Sequence, residues 1–232
     1  MATIQLWFTL GTVGMALGTL LLAAGLRVMP RSLWRRYSIL IAVPGIAVVA
    51  YALMSADIGA VETATGGTAF IPRYVDWLLT TPLHILYLGL FAGAARGIIG
   101  RALALQTATI LFGLGGALVA APLKWILYVG GLLAFAGVVY YAYSDFSDAA
   151  DRQGGTAAAL YRKLRAFLVV LWLVYPLIWL AGPNSLVLMD VETTALVVTY
   201  IDIVSKVGLG LIALNGQLTF ADVETTTGAP GD

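Results

Sequence analysis

Two pairs of charged residues sit in runs that are otherwise apolar. Asp202 and Lys206 interrupt the stretch Ala195–Asn215. They are four residues apart, so on a helix they share a face, one turn from each other. Arg73 and Asp76 stand three apart near the start of a second apolar run, Pro72–Ala92. A charged side chain near the middle of a bilayer costs about 2.5–3.5 kcal/mol on insertion scales. The four charges sum to zero, as a buried ionic cluster requires, because an unpaired buried charge is prohibitive. The plainer account is a salt-bridge cluster that only ties two helices together. Buried ion pairs seldom add net stability, which weakens that account. Lysine is also the side chain that forms Schiff bases with carbonyl compounds, so Lys206 is the candidate covalent attachment point.

A second constellation is aromatic. Trp172, Tyr175, Pro176 and Trp179 fall at i, i+3, i+4 and i+7 and share one helix face. Trp77 stands beside Asp76. An aromatic pocket next to a buried lysine suits a long, flat, apolar aldehyde. Aromatic residues also form belts at membrane surfaces, but belts lie at span ends. Trp172 and Tyr175 fall in mid-span, which favours the pocket.

The elements that must position these residues are membrane spans. The chain has 232 residues, 60% hydrophobic and 11% charged, whereas soluble domains carry about 25% charged residues. A span needs about 20 apolar residues, and seven stretches qualify. They are Ile4–Leu26, Tyr37–Ala56, Pro72–Ala92, Ala102–Ala120, Leu123–Tyr143, Ala157–Leu180 and Val191–Leu218. The fold class is therefore an all-α membrane protein, a seven-transmembrane-helix bundle over residues 1–218. Residues 219–232 form a polar tail, expected to be disordered. Between the second and third spans, Val61–Thr65 and Thr68–Phe70 flank Gly66-Gly67 and carry a weak hairpin signal. Asp145–Gly155 reads as a polar loop. The first apolar run starts at once, without a basic leader, so no cleavable signal is expected.

All thirteen basic residues except Arg73, Lys124 and Lys206 fall in or beside the loops after the first, third and fifth spans. By the positive-inside rule the N-terminus is extracellular and the C-terminus cytoplasmic. The net charge of +1 carries no nucleic-acid footprint. No cysteine is present, which excludes disulfides and thiolate chemistry, and a single histidine excludes a histidine-cluster metal site. No enzymatic centre and no metal are expected.

Three segments carry a family resemblance: Arg73–Leu90 (RYVDWLLTTPLHILYLGL), Leu171–Pro183 (LWLVYPLIWLAGP) and Tyr200–Gly208 (YIDIVSKVG). With them, about Leu6–Leu218 resembles the haloarchaeal microbial rhodopsins. The resemblance implies all-trans retinal held as a protonated Schiff base on Lys206. Asp76 would be the main counterion and proton acceptor, Asp202 the second counterion, and Arg73 their neighbour. Thr80 matches the threonine that bonds the counterion. Trp77, Thr81, Trp172, Tyr175, Pro176 and Trp179 would line the chromophore. Thr109, Gly113 and Phe135 would complete that lining.

Outward proton pumps of this family carry a carboxylate donor eleven residues after the counterion, about three helical turns along. Here that position is Tyr87, a poor donor with a reference pKa of about 10. Two glutamates that release the proton in pumps correspond to Asn184 and Thr194. The resemblance thus implies reprotonation from bulk and a slow cycle. It is strongest to the sensory rhodopsin II class of phototaxis photoreceptors, through Trp7–Ala23, Ile71–Trp77 and Val139–Phe146. Ser205 supplies the hydroxyl that this class places before the lysine, and with Tyr175 it forms the expected signal relay pair. Tyr200 matches a contact with a two-helix transducer of the chemotaxis-receptor type, and Asp190 departs from the threonine at another such contact. A light-driven outward proton pump with a slow photocycle stays open as the alternative. Expected partners are membrane lipid, the transducer and further copies of the chain; the expected location is the plasma membrane. His84 replaces the family's aliphatic residue at a colour-tuning position on the pocket side. Both spectral tuning and an uninvolved histidine bonded to a nearby hydroxyl are open there.

Overall fold

Residues 2–216 are described in a computed structural model of the chain. The bundle opens with helix α1 (Ala2–Gly25). A 3-10 turn at Arg31–Leu33 leads into α2 (Trp34–Ser55). A two-stranded hairpin follows, β1 (Ala60–Glu62) against β2 (Thr68–Phe70), antiparallel with Val61 opposite Ala69. Then come α3 (Ile71–Ala92), α4 (Arg96–Leu118), α5 (Leu123–Tyr143) and α6 (Asp145–Gln153). The last elements are α7 (Gly155–Trp172), α8 (Val174–Ala181) and α9 (Val191–Ile203). Beyond α9 the same span continues through a π turn, Val204–Gly208, and helix to Gly216. Among the described residues, seven helical segments are long and apolar enough to cross a membrane. The expected tail 219–232 and the end of the seventh span at Leu218 lie outside the described residues.

Neighbours in sequence are neighbours in space from α1 to α5, and α1 closes the ring against α9. Outward faces keep large apolar side chains such as Leu20, Leu133, Val170 and Leu177. Such side chains suit contact with lipid tails. α3 is the most enclosed span. Phe70 in extended backbone and Pro72 in the first turn start it, and Gly93 ends it. Gly93 takes the left-handed conformation, φ 70° and ψ 29°, which closes the last turn without a Cβ penalty. Asp190 caps α9 by accepting from the Thr193 N–H at 2.7 Å and the Thr193 hydroxyl at 3.0 Å. Those bonds hold its exposed carboxyl below the usual carboxylate range.

The hairpin forms at the predicted place. The loop expected over Asp145–Gly155 is instead mostly helix, α6. Its polar composition hides a short apolar face, Phe146, Ala149 and Ala150 at i, i+3 and i+4, all buried. The fifth span therefore extends to Gln153, whose side-chain amide donates to the Phe91 carbonyl at 3.0 Å and ties α6 to the end of α3. Three core clusters result among the described residues, two of them toward the ends of the bundle. One, toward the α6 end, holds Tyr87, Phe91, Phe146, Tyr161, Leu164 and Trp172. The other, toward the hairpin end, holds Phe8, Tyr51, Met54 and Phe70. The third, Ile178, Val198 and Ile201, packs against Trp77 and Tyr175 beside the buried charges.

Candidate functional site

Lys206 lies in the π turn of the seventh span, 2% exposed. A π turn adds a residue to one helical turn, a distortion that recurs at functional sites. Lys206 Nζ lies 2.5 Å from Asp76 Oδ2 and 3.3 Å from Asp202 Oδ2. Both carboxylates are 1% exposed. One buried cation thus faces two buried anions.

The two carboxylates are held differently. Asp202 accepts from the Tyr51 hydroxyl at 2.8 Å, the Tyr175 hydroxyl at 2.5 Å and the Trp77 indole N–H at 3.1 and 3.2 Å. Asp76 Oδ1 has no hydrogen-bond partner among the described residues. Thr80 donates to the Asp76 main-chain carbonyl at 2.8 Å, with the carboxylate close to the same hydroxyl. Arg73 is buried but makes no ion pair with either acid among the described residues. Its guanidinium lies 5.4 Å from the Phe8 ring centre and 5.5 Å from that of Phe70, within cation–π range. The expected four-charge cluster is therefore a three-charge cluster with an arginine packed on aromatic rings nearby.

A cavity of about 180 Å³ opens beside Lys206. Its walls include Trp77, Thr81, Trp172, Tyr175, Pro176 and Trp179, the residues expected to line a chromophore. Thr109, Gly113, Phe135, His84 and Ser205 also line it. Thr80 and Asp76 are not among its lining residues. The predicted aromatic face survives a break in its helix. Pro176 has no N–H for the Trp172 carbonyl and its ring crowds that carbonyl, and the helix divides at Leu173 into α7 and α8.

Polar contacts fix the walls. Trp179 Nε1 donates to the Gly113 carbonyl at 3.2 Å, and the Trp179 ring stacks on Tyr128 at 4.8 Å. The Tyr128 hydroxyl donates to the Pro176 carbonyl at 3.2 Å. Gln106 Nε2 donates to Thr81 Oγ1 at 2.9 Å, and Thr81 in turn donates to the Trp77 carbonyl at 2.7 Å. The Thr109 hydroxyl is bonded within its own helix, to Leu105. Ser205 donates to the Asp202 main-chain carbonyl at 3.1 Å, so Ser205 and Tyr175 both converge on Asp202. His84 is buried edge-on to Trp172, ring centres 5.8 Å apart, with neither ring nitrogen in hydrogen-bond geometry to a partner among the described residues. Tyr87 is fully buried, stacked on Phe91 at 6.1 Å. Tyr200 is 68% exposed on the outer face of α9.

Tyr51, Gln106 and Tyr128 are site residues that sequence reasoning missed. Gln106 alone left a signal, a lone amide inside an apolar span. The hydroxyls of Tyr51 and Tyr128 become informative only once the facing helix is known.

The model of the bacteriorhodopsin-like protein family matches residues 2–220. The chain belongs to that family. Sensory rhodopsin-2 of Haloarcula vallismortis is 46% identical over 231 residues, 99% of this chain and 98% of that one. Sensory rhodopsin-2 of Natronomonas pharaonis is 39% identical over 212 residues, 91% of this chain and 88% of that one. The crystal structure of thermophilic rhodopsin from Rubrobacter xylanophilus superposes with a TM-score of 0.90 at 31% identity, covering 96% of this chain and 99% of that one. The chain is thus a multi-pass membrane protein, and its family implies a retinal chromophore. The residues present fit that group: a buried amine reaches an aromatic-walled cavity, and two carboxylates face the amine.

Proposed function

We propose that the chain is a retinal-based photoreceptor for phototaxis, of the sensory rhodopsin II kind, seated in the plasma membrane. One observation carries the reading: the Lys206 nitrogen, buried at an aromatic cavity, is bracketed by Asp76 and Asp202. All-trans retinal joined to that nitrogen as a protonated Schiff base supplies visible absorption and a light-driven isomerisation.

The chain's own residues do the rest. Asp202 is saturated by donors from Tyr51, Trp77 and Tyr175, so it serves as a fixed anion. Asp76 has an oxygen to spare and lies nearer Lys206, so it is the carboxylate placed to take the proton. Proton transfer from Lys206 Nζ to Asp76 Oδ2 removes both charges of that pair at once. The loss is felt at Asp202, where the Tyr175 and Ser205 bonds converge, and these two residues form the relay toward the outer face. Tyr200, exposed on α9, is the contact for a two-helix membrane transducer. Tyr87 in place of a donor carboxylate, and Asn184 and Thr194 in place of release glutamates, favour signalling over pumping. The sensory rhodopsins similar to this chain support the same choice.

Flash photolysis with an electrode tests the reading on protein reconstituted with retinal. A sensor recovers its dark state far more slowly than milliseconds and acidifies the medium weakly. Millisecond recovery with strong steady current would make it a pump instead. A Lys206→Ala protein that kept a visible band with retinal would overturn both.

A further inference from the structure

His84 is the only histidine of the chain and has no part in the mechanism above. It is 1% exposed and lines the same cavity as Lys206. Among the described residues neither Nδ1 nor Nε2 has a partner in good hydrogen-bond geometry, although the Thr80 carbonyl, one turn back, lies close enough to act on the ring. Buried polar atoms left without partners are rare and call for an explanation. A histidine kept for structure has its tautomer set by the bond that its other nitrogen makes. Here, among the described residues, no hydrogen bond in good geometry sets it, and the ring lies edge-on to Trp172.

Its place along α3 is informative. His84 is eight residues beyond Asp76, about 12 Å toward the α6 end, and three residues short of Tyr87. Helical side chains lean toward the helix N-terminus, so the ring lies over the turn that holds Thr80. The charged groups that act on it, Lys206 and Asp202, both belong to the seventh span. Into the same cavity α4 presents Gln106 and Thr109, α7 presents Trp172 and α5 presents Phe135, none of them charged, while α3 also presents Arg73.

We infer that His84 is the proton relay that restores Lys206, receiving a proton at one ring nitrogen from the aqueous side at the α6 end and giving one up from the other. The first step forms an N–H bond on the neutral imidazole, with a hydronium ion or water as the source. The second breaks the N–H bond on the opposite nitrogen, leaves that electron pair on the ring, and forms an N–H bond at the Lys206 nitrogen. The imidazole returns to neutrality in the other tautomer, which the missing hydrogen bonds permit. The step needs Lys206 to be neutral first, because two cations in one apolar cavity repel strongly.

For its kinetics the inference rests on the photoreceptor reading; its spectroscopy does not. Labelling with ¹⁵N-histidine gives signals from one residue, since the chain has one histidine. In retinal-free protein the imidazole should be neutral with both tautomers populated. A single tautomer locked by a hydrogen bond overturns the relay, whether or not the protein is a photoreceptor. In the retinal-loaded protein, His84→Gln should slow dark-state recovery about 100-fold, the scale of a lost general acid–base group, and make its rate proportional to bulk proton concentration. His84→Asp, which again carries a proton, should restore much of the rate. Recovery in His84→Gln with unchanged rate and pH profile overturns the relay. If His84→Gln fails to fold, the labelled wild-type protein still decides through its tautomers.

Discussion

Asp76 and Asp202 have the same chemistry and the same burial, yet their neighbours give them different work. Three side-chain donors hold Asp202, and one oxygen of Asp76 has none. Asp76→Asn should therefore move the visible band to longer wavelength, because the anion nearest the Lys206 nitrogen stabilises positive charge there in the ground state. The same variant should lose light-driven deprotonation; flash spectra that still show it would assign the acceptor role elsewhere. Tyr51→Phe removes one donor from Asp202 and leaves Trp77 and Tyr175 in place. A hydrogen bond to a charged group contributes about 1.5–3 kcal/mol. The variant should bleach at lower temperature while keeping its band, and an unchanged bleaching temperature would mean that the Tyr51 bond contributes nothing.

At the level of elements, the hairpin is stitched to the loop between α8 and α9 through Asn184. Asn184 Nδ2 donates to the Thr68 carbonyl at 2.8 Å, Asn184 Oδ1 accepts from Thr63, and Lys124 Nζ donates to the Asn184 carbonyl at 2.5 Å. A Cβ on Gly67 would stand 2.0 Å from Asn184 Oδ1, whereas one on Gly66 meets nothing within 4 Å. Gly66 has φ +77°, so Gly66→Ala brings only left-handed backbone strain, about 1–2 kcal/mol. Gly67→Ala should break the stitch as well, and should accelerate hydroxylamine bleaching in the dark more than Gly66→Ala does. Equal rates would show that the stitch does not guard the cavity. The span positions and the Asp76–Lys206–Asp202 cluster were legible in the sequence, because membrane insertion makes apolar length and buried charge conspicuous. α6 was not, since three buried apolar residues in a polar nonapeptide give a weak signal. The π turn at Lys206 was not either, because composition does not record backbone register. Arg73 was grouped with the acids by spacing along one helix, and only the packing of α1 and β2 against α3 brings Phe8 and Phe70 to its guanidinium.

The whole molecule has two unlike ends. The hairpin end carries Asp57, Glu62, Asp190 and Glu192, with Lys124 buried against Asn184. At the other end Arg27, Arg31, Arg35, Arg36, Arg96 and Arg101 stand in or beside the short connections, and Arg152, Arg162, Lys163 and Arg165 cluster about α6 and the start of α7. Basic residues in short loops are retained on the cytoplasmic side during insertion, so the hairpin should face outward and α6 inward. That orientation also puts the Asp76 side of Lys206 toward the outside and His84 toward the cytoplasm. The cysteine-free sequence makes the test direct, because one introduced thiol is the only target. Ala64→Cys places it on the exposed hairpin tip, and Arg152→Cys on the exposed face of α6. In intact cells a membrane-impermeant maleimide should label the first and spare the second, and both should react once the cells are lysed. Labelling of Arg152→Cys but not Ala64→Cys before lysis would invert the bundle. It would put the proposed proton acceptor on the cytoplasmic side and remove the α6 end as the cytoplasmic source of the proton that His84 returns.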